Sequence, residues 1–174
     1  YKDLVGVSVS GDVITKTDTA FDFSAGLATQ GSFTGDGHIK FVAETENSPA
    51  MVGLSYANAN AHYSSINYSI YMYWNKRLLI YEAGQYKGEY GTFKKGDTLK
   101  VERIGTTVYY KKNGTTFYTS TTASSGPLLG DISMYSVGAQ IKDLHIVSNG
   151  SGLQSVDYTY NIRGWLKNIN QDAN

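Results

Sequence analysis

Short runs in which apolar and polar residues alternate dominate the chain up to about residue 148, and Gly, Asn and Asp separate them. Alternation with a period of two is typical of a β-strand that buries one face. In the first run, Val5, Val7 and Val9 alternate with Gly and Ser, so the pattern predicts that all three valines face a core. A turn is predicted directly afterwards, at Gly11 and Asp12.

Two further kinds of strand follow. The segment GHIKFVAE alternates again and predicts that Ile39, Phe41 and Ala43 point inward. The segments AMVGLSY and YSIYMYW are apolar on both faces, which indicates central strands that are covered on both sides.

The segment DTLKVERIGTTVYYKKNGTTFYTS predicts a three-stranded meander, because Asn-Gly between two alternating runs is a strong hairpin signal. With two-residue turns, the three strands form two cross-strand rows. The row predicted to be core contains Val101, Tyr110 and Phe117. The row predicted to lie on the surface or in a cleft contains Glu102, Tyr109 and Tyr118.

The last alternating run, AQIKDLHIVS, directs Ile141, Leu144 and Ile146 toward the core if a β-bulge absorbs one shift in phase. Residues 1–148 are therefore predicted to form an all-β domain, an antiparallel jelly-roll β-sandwich. Residues 149–174 are predicted to be a linker and a short appendage, since NGSG is typical of a flexible connection. In the appendage, helical spacing and strand-like alternation both occur, so a short helix and a strand-turn-strand stay open as alternatives.

Composition narrows the classes of partner. The 174 residues carry 15 basic and 15 acidic side chains and no Lys/Arg cluster that would follow a phosphate backbone, which argues against nucleic acid. The chain has no cysteine, which excludes disulfides and thiolate metal sites. No apolar run approaches the roughly 20 residues that span a bilayer, so membrane insertion is not expected. The N-terminal sequence lacks the features of a signal peptide, which indicates a removed peptide or a piece of a longer chain.

The stretch ANANAHYSSINYSIYMYW joins a loop of small polar residues to a tyrosine-rich strand. Sugar recognition by a β-sandwich needs flat aromatic faces and polar side chains that bond hydroxyl groups. Alternation separates Tyr71 and Tyr73 from Ile70 and Met72. We assign the two tyrosines to the outer face, because a phenol keeps its hydroxyl hydrated more easily than Met accepts water. The alternative is that these rings fill the interior of the sandwich.

The predicted ligand-binding residues combine rings that would stack on a sugar with polar groups that would bond its hydroxyls. They are Asn60, His62, Tyr63, Tyr71, Tyr73, Trp74, Glu102, Tyr109 and Tyr118. Stacking is expected of Tyr71, Tyr73 and Trp74. Hydrogen bonds to hydroxyls are expected of Asn60, His62 and Glu102.

Three segments carry a family resemblance: MVGLSYANANAHYSSINYSIYMYW, LLIYEAGQYKGEYGTFKKGDTLKVER and TTVYYKKNGTTFYTS. They resemble the concanavalin A-like lectin/glucanase sandwich, in the form found as accessory modules of large secreted proteins of Bacteroidetes-type bacteria. The resemblance rests on strand spacing and on the Y-x-x-N-G hairpin. It implies a module that binds polysaccharide or another glycan outside the cell or at the cell surface. The tail DYTYNIRGWLKNIN resembles a diverged YD/RHS repeat in which Arg163 and Gly164 invert the usual Gly-Arg order.

An enzyme would need a pair of carboxylates at a fixed separation for glycoside hydrolysis. The Glu-x-Asp-x-x-Glu or Glu-x-Asp-x-Glu strand of glucanases that share this sandwich is absent. The nearest pair is Glu44 and Glu46, which adjoin the turn signal NSP and are expected to be solvated. We therefore expect no catalysis, and a glycoside hydrolase stays only as an alternative.

No cofactor is expected either. The three histidines show no spacing typical of metal ligands. Asp36 in TGDG and Asp97 in KKGD offer oxygens that would suit a structural calcium ion, but Asp is also a common turn former, and we favour that interpretation. A second alternative function is a protein-binding or structural module that contacts other RHS or adhesin segments of its parent protein.

Overall fold

The computed structural model describes residues 1–149 and the backbone of two short strands in the tail. The strands in chain order are β1 (Lys2–Val5), β2 (Val7–Ser10), β3 (Val13–Lys16), β4 (Ala25–Phe33), β5 (Gly37–Ala43), β6 (Ala50–Ser55), β7 (Tyr68–Met72), β8 (Arg77–Glu82), β9 (Gln85–Thr92), β10 (Thr98–Ile104), β11 (Thr107–Lys112), β12 (Thr115–Thr119), β13 (Leu128–Met134), β14 (Gln140–Ser148), β15 (Thr159–Tyr160) and β16 (Leu166–Asn168). Short 3-10 turns occupy Tyr63–Ser65 and Trp74–Lys76. The described part of the chain has no helix long and apolar enough to cross a membrane.

Two seven-stranded antiparallel sheets pack face to face. The first sheet has the order β1-β4-β13-β6-β7-β8-β9, and the second has the order β12-β11-β10-β5-β14-β3-β2. One hydrophobic core contains fully buried side chains from both sheets, such as Val52 and Ile80 from the first and Phe41 and Val101 from the second. This confirms the predicted all-β jelly-roll sandwich.

The central strands behave as their sequence predicts. Ile39, Phe41 and Ala43 are fully buried in β5. Strands β6 and β7 pair with each other inside the first sheet and are buried along their whole length. The bulge predicted for the last run lies between Lys142 and His145, and it returns β14 to the correct phase.

The predicted meander is present, but its third strand is shifted by one residue. Val101 pairs with Tyr110 and Glu102 with Tyr109, as two-residue turns require. A bulge in the pairing of β11 with β12 then places Tyr118, and not Phe117, opposite Tyr110. The predicted places of Phe117 and Tyr118 in the two rows were therefore wrong, because a bulge shifts the register by one residue without a local sequence signal.

The expectation that three valines at the N-terminus share one buried face was wrong. Gly6, at a φ of +58°, divides the run into β1, which joins the first sheet, and β2, which joins the second. Val5 and Val9 are exposed, and only Val7 packs against the core. The predicted turn at Gly11 and Asp12 connects β2 to β3.

The tail contributes a small antiparallel pair, in which Tyr160 is the partner of Leu166. Of the two alternatives for this segment, the strand pair is the one found. The predicted NGSG linker and most of the YD/RHS-like segment lie outside the described residues. The domain boundary at residue 148 stays a prediction.

Candidate functional site

The outer face of the first sheet carries a continuous set of aromatic side chains. In β7, Ile70 and Met72 enter the core, whereas Tyr71 belongs to a separate outer cluster, as predicted. Tyr81 in β8 alternates in the same way with the core residue Ile80. We call this set the aromatic surface; its rings are Phe23, Tyr63, Tyr71, Tyr73, Tyr81, Tyr86 and Tyr135.

Tyr71 is the centre of the aromatic surface. Its ring centroid lies 5.1 Å from that of Tyr73, 5.7 Å from that of Tyr81 and 5.7 Å from that of Phe23, each in an edge-on arrangement. The side chain of Tyr71 is only 8% exposed, and burial, with the neighbouring phenols, raises its pKa. Tyr71 therefore forms the floor of the surface, where little of its ring is accessible, and its stacking on a ligand stays a prediction.

The rings around Tyr71 are more accessible. Tyr86 is 54% exposed and lies 5.5 Å from Tyr81. Tyr73 is half-buried, and the guanidinium carbon of Arg77 lies 5.5 Å from its ring centroid. Phenols that present both a ring and a hydroxyl to solvent are suited to contact with an amphipathic ligand.

The loop between β6 and β7 covers one side of the aromatic surface and is held by its own hydrogen bonds. The backbone N–H of His62 donates to Asn60 Oδ1 at 2.9 Å. Nδ1 of His62 accepts from the Ser64 N–H at 3.3 Å and caps the 3-10 turn. The ring of Tyr63 lies 4.5 Å from that of His62 and packs on the outer cluster. The structure therefore places His62 and Tyr63 against Phe23, whose ring contacts Tyr71, and Asn60 holds the same loop.

A cleft of about 440 Å³ opens next to this loop and extends the aromatic surface. Its lining contains His62 and four residues that the sequence analysis missed, which are Asp22, Phe23, Ser24 and Tyr135. The segment TDTAFDFSAG has no strand periodicity. The only local indication of a binding segment is that Phe and Asp are neighbours in its sequence. The cleft has room for one or two sugar rings, and its lining offers both aromatic side chains and polar groups.

A buried lysine holds the wall of the cleft in place. Nζ of Lys16 donates to the backbone oxygens of Asp22 at 2.7 Å, Tyr135 at 3.0 Å and Met134 at 3.2 Å. Burial lowers the pKa of Lys16, against the raising effect of Asp18 and Asp22. These three bonds connect the segment before β4 to the end of β13, which fixes Phe23 and Tyr135 relative to each other.

Trp74 lies at the edge of this region. It is exposed in the 3-10 turn after β7, where Asn75 and Lys76 both have positive φ. Among the described residues, no ring contact to Trp74 is found. It is accessible, but it is not part of the continuous aromatic surface.

Glu102 and Tyr109 lie elsewhere, on the outer face of the second sheet. Glu102 is buried beneath the ammonium groups of Lys111 and Lys100, the latter at 3.4 Å. Burial alone would raise the pKa of Glu102, but the two lysines outweigh it and lower the pKa. Because the sandwich separates this carboxylate from the aromatic surface, its predicted part in a site shared with His62 was wrong.

Tyr118 lies neither on the aromatic surface nor beside Glu102, but against the core. Its ring packs 5.3 Å from Tyr110 and 4.7 Å from Tyr90, against the core. The bulge described above turns it inward, so its predicted place in an outer row with Glu102 was also wrong.

The remaining acidic candidates have local partners. Glu44 pairs with Lys95 at 2.6 Å and Glu46 with Lys76 at 2.7 Å, as solvated side chains do at the end of a strand. Asp36 accepts from the Gly105 N–H at 2.7 Å, and Asp97 accepts from the Lys94 N–H at 3.0 Å. In the part of the chain that the structure describes, no group of three or more His, Asp or Glu side chains is arranged to hold a metal ion.

No protein-family model matches the chain, and neither does any curated protein. Solved structures do match its fold. The SPRY domain of human HERC1 is 18% identical, with a TM-score of 0.64, over 84% of this chain and 94% of that one. The alginate lyase AlgAT5 of polysaccharide lyase family 7 is 14% identical, with a TM-score of 0.55, over 84% of each chain.

The carbohydrate-binding module CBM66 from Bacillus subtilis is similar to the same extent. It is 12% identical, with a TM-score of 0.54, over 84% of this chain and 96% of that one. At these identities the matches show a shared fold, the concanavalin A-like sandwich, and this confirms the fold implied by the resemblance. The matches do not show the expected bacterial origin or the RHS repeat, and both stay predictions.

Proposed function

We propose that this protein is a non-catalytic module that binds a polysaccharide on the aromatic surface of its first sheet. One observation carries the proposal: seven rings form a continuous layer on the outside of the sandwich, instead of inside it. Such rings match the C–H faces of sugars, and their hydroxyls match sugar hydroxyls. A carbohydrate-binding module with the same fold adds support.

The layer is suited to binding because its accessible rings rest on a buried floor. Tyr73, Tyr81 and Tyr63 all pack against Tyr71, or against a ring that touches it. Side chains that are already fixed lose little conformational entropy when a ligand binds. At the cleft, His62 and the carboxylate of Asp22 supply groups that bond hydroxyls.

The non-catalytic part of the proposal rests on the chemistry of the cleft. Among the described residues that line it, Asp22 is the one carboxylate, whereas glycoside hydrolysis needs two. Incubation with marine and plant polysaccharides should release no new reducing ends and no unsaturated products. Turnover that is lost in Glu44→Gln would overturn this part.

We further propose that the module works outside the cell or at the cell surface, within a larger protein.

A glycan array with the soluble protein tests the binding function, and light scattering of the same sample measures self-association. Saturable binding to one glycan class is expected from a monodisperse sample. No binding to any glycan, together with self-association through the aromatic surface, would instead support a protein-binding module.

A further inference from the structure

A second cavity, of about 340 Å³, lies where the connections between strands meet at one end of the sandwich. Its walls come from the two ends of the loop between β6 and β7, from the hairpin between β8 and β9, and from the loop between β12 and β13. The lining residues on which the argument depends are Asn67, Tyr68, Glu82, Gln85, Lys87 and Ala123. None of them belongs to the aromatic surface.

Glu82 gives this cavity an unexplained acceptor. Its side chain is only 5% exposed, and Oε1 accepts a hydrogen bond from the Tyr110 hydroxyl at 2.9 Å. Oε2 accepts no hydrogen bond from any residue that the structure describes. Its ion-pair partner is Lys87, whose Nζ lies 3.7 Å away, beyond hydrogen-bond distance. A buried carboxylate oxygen without a donor loses its hydration and gains nothing in return, so buried acceptors normally have a partner. A donor from outside the chain would supply it.

The opposite wall of the cavity is fixed by a hydrogen-bond network. The Tyr68 hydroxyl donates to the backbone oxygen of Ala123 at 3.1 Å, and the Tyr56 hydroxyl donates to Ser124 Oγ at 3.2 Å. Nη1 of the buried Arg103 donates to the same Ser124 oxygen at 3.2 Å. The loop that carries Ala123 is thereby held in place, so the cavity exists before any ligand binds.

We infer that this cavity is a separate binding site for one neutral polyhydroxy ring, a single saccharide unit, with a ligand hydroxyl donating to Oε2 of Glu82. Because Lys87 already balances the charge of the Glu82 carboxylate, a second cation would gain little net attraction there, which favours a neutral donor. The amides of Asn67 and Gln85 both donate and accept, as sugar hydroxyls do. Tyrosine rings and alanine methyl groups supply the apolar part of the lining, and the volume suits a small ligand.

The test is a ¹⁵N–¹H correlation NMR titration of the full chain with methyl glycosides of glucose, galactose and mannose, and with choline chloride as the cationic probe. At least one glycoside should shift the amide signals of Glu82, Ala83 and Ala123 saturably, with a Kd on the order of 1–10 mM. Choline should leave them unchanged.

Two variants probe the site in different ways. Glu82→Gln keeps an acceptor for Tyr110 but replaces the free oxygen with a donor, so affinity should fall at least about tenfold. Ala123→Leu leaves Glu82 intact and fills the cavity from an exposed loop position, so the shifts should disappear. The matched control is Glu89→Gln, a carboxylate paired with Arg77 on the surface, which should bind as the unmodified chain does.

Three outcomes would overturn the inference. One is that no glycoside shifts these signals, which would mean that the cavity holds only water. Another is a response to choline alone, which would show that the ligand is a cation. The third is equal affinity in Glu82→Gln and the unmodified chain. Because Tyr73→Ala alters only the aromatic surface, unchanged shifts in that variant separate this site from the proposed polysaccharide site.

Discussion

Asp131 lies on the outer face of the first sheet, in β13, beneath the loop between β6 and β7. Its carboxyl group is almost fully buried and accepts a hydrogen bond from Ser55 Oγ at 2.8 Å. The loop is tied down close by, where Ser133 Oγ donates to the backbone oxygen of Ala61 at 2.6 Å. Burial raises the pKa of Asp131 to about 7, although the Ser55 hydrogen bond opposes the shift.

This raised pKa makes stability depend on pH. The folded protein holds the Asp131 proton more tightly than the unfolded chain, whose carboxyl has the ordinary value of 3.8. The contribution of Asp131 to stability is therefore complete below pH 3.8, and it is lost as the pH rises toward and through 7. The ionised carboxylate beneath the loop then destabilises the fold.

Asp131→Asn removes this charge and keeps an acceptor for Ser55. At pH 8 the variant should have a free energy of unfolding higher than that of the unmodified chain, on the order of 1–4 kcal/mol. At pH 4 the two should agree within about 0.5 kcal/mol. Urea unfolding at both pH values measures the difference, and Asp12→Asn, at an exposed position, is the control. A variant that is less stable at pH 8 would show that the ionised carboxylate is needed.

At the scale of single residues, sequence alone predicted the direction of side chains better than their exposure. Alternation in β7 correctly placed Tyr71 outside the core. That Tyr71 is nevertheless buried depends on Phe23, which comes from a distant segment without a strand pattern. The Glu82 oxygen without a hydrogen-bond partner and the burial of Asp131 likewise depend on how loops fold over the sheets, which no local sequence pattern predicts.

Strands β6 and β7 support the aromatic surface, and their spacing depends on Gly53. A Cβ atom at this position would lie 1.9 Å from the backbone oxygen of Tyr68 and 2.7 Å from the Cα atom of Ser69. Contacts this close involve backbone, which cannot move aside without separating the two strands. The absence of a side chain at Gly53 is therefore a requirement of the pairing.

Gly53→Ala should lower the free energy of unfolding by about 2–4 kcal/mol, because the added methyl group forces β6 away from β7. Gly31→Ala is the control, since its Cβ would meet only a side-chain atom, Cγ2 of Ile146, at 3.3 Å. That control should cost less than about 1 kcal/mol. Thermal and urea unfolding measure both variants, and an equal cost for the two would contradict the argument from backbone contact.

At the scale of elements, the hairpins with strong turn signals were predictable and the assignment of strands to sheets was not. The Asn113-Gly114 turn and the paired rows of β10 and β11 follow from local sequence. The change of sheet at Gly6 and the bulge near Tyr110 do not, since alternation states which face a residue occupies but not which sheet receives the strand.

For the whole molecule, the alternating runs were enough to predict a two-sheet sandwich, because every strand must bury one face against another layer. The ligand does not follow from that fold. Structures that share it include a SPRY domain, an alginate lyase and a carbohydrate-binding module. Function therefore has to be argued from the side chains on the surface, and here the outward rings of the first sheet carry that argument.

The most direct test of this account is the affinity of the unmodified chain, Tyr73→Ala, Tyr86→Ala and Tyr109→Ala for the polysaccharide that binds best on the array, measured by titration calorimetry. The first two variants remove rings from the aromatic surface, and each should weaken binding by about 1 kcal/mol, or roughly fivefold. Tyr109→Ala removes a ring from the opposite sheet and should leave the affinity unchanged. Full affinity in Tyr73→Ala and Tyr86→Ala, or a loss in Tyr109→Ala alone, would contradict the proposed site.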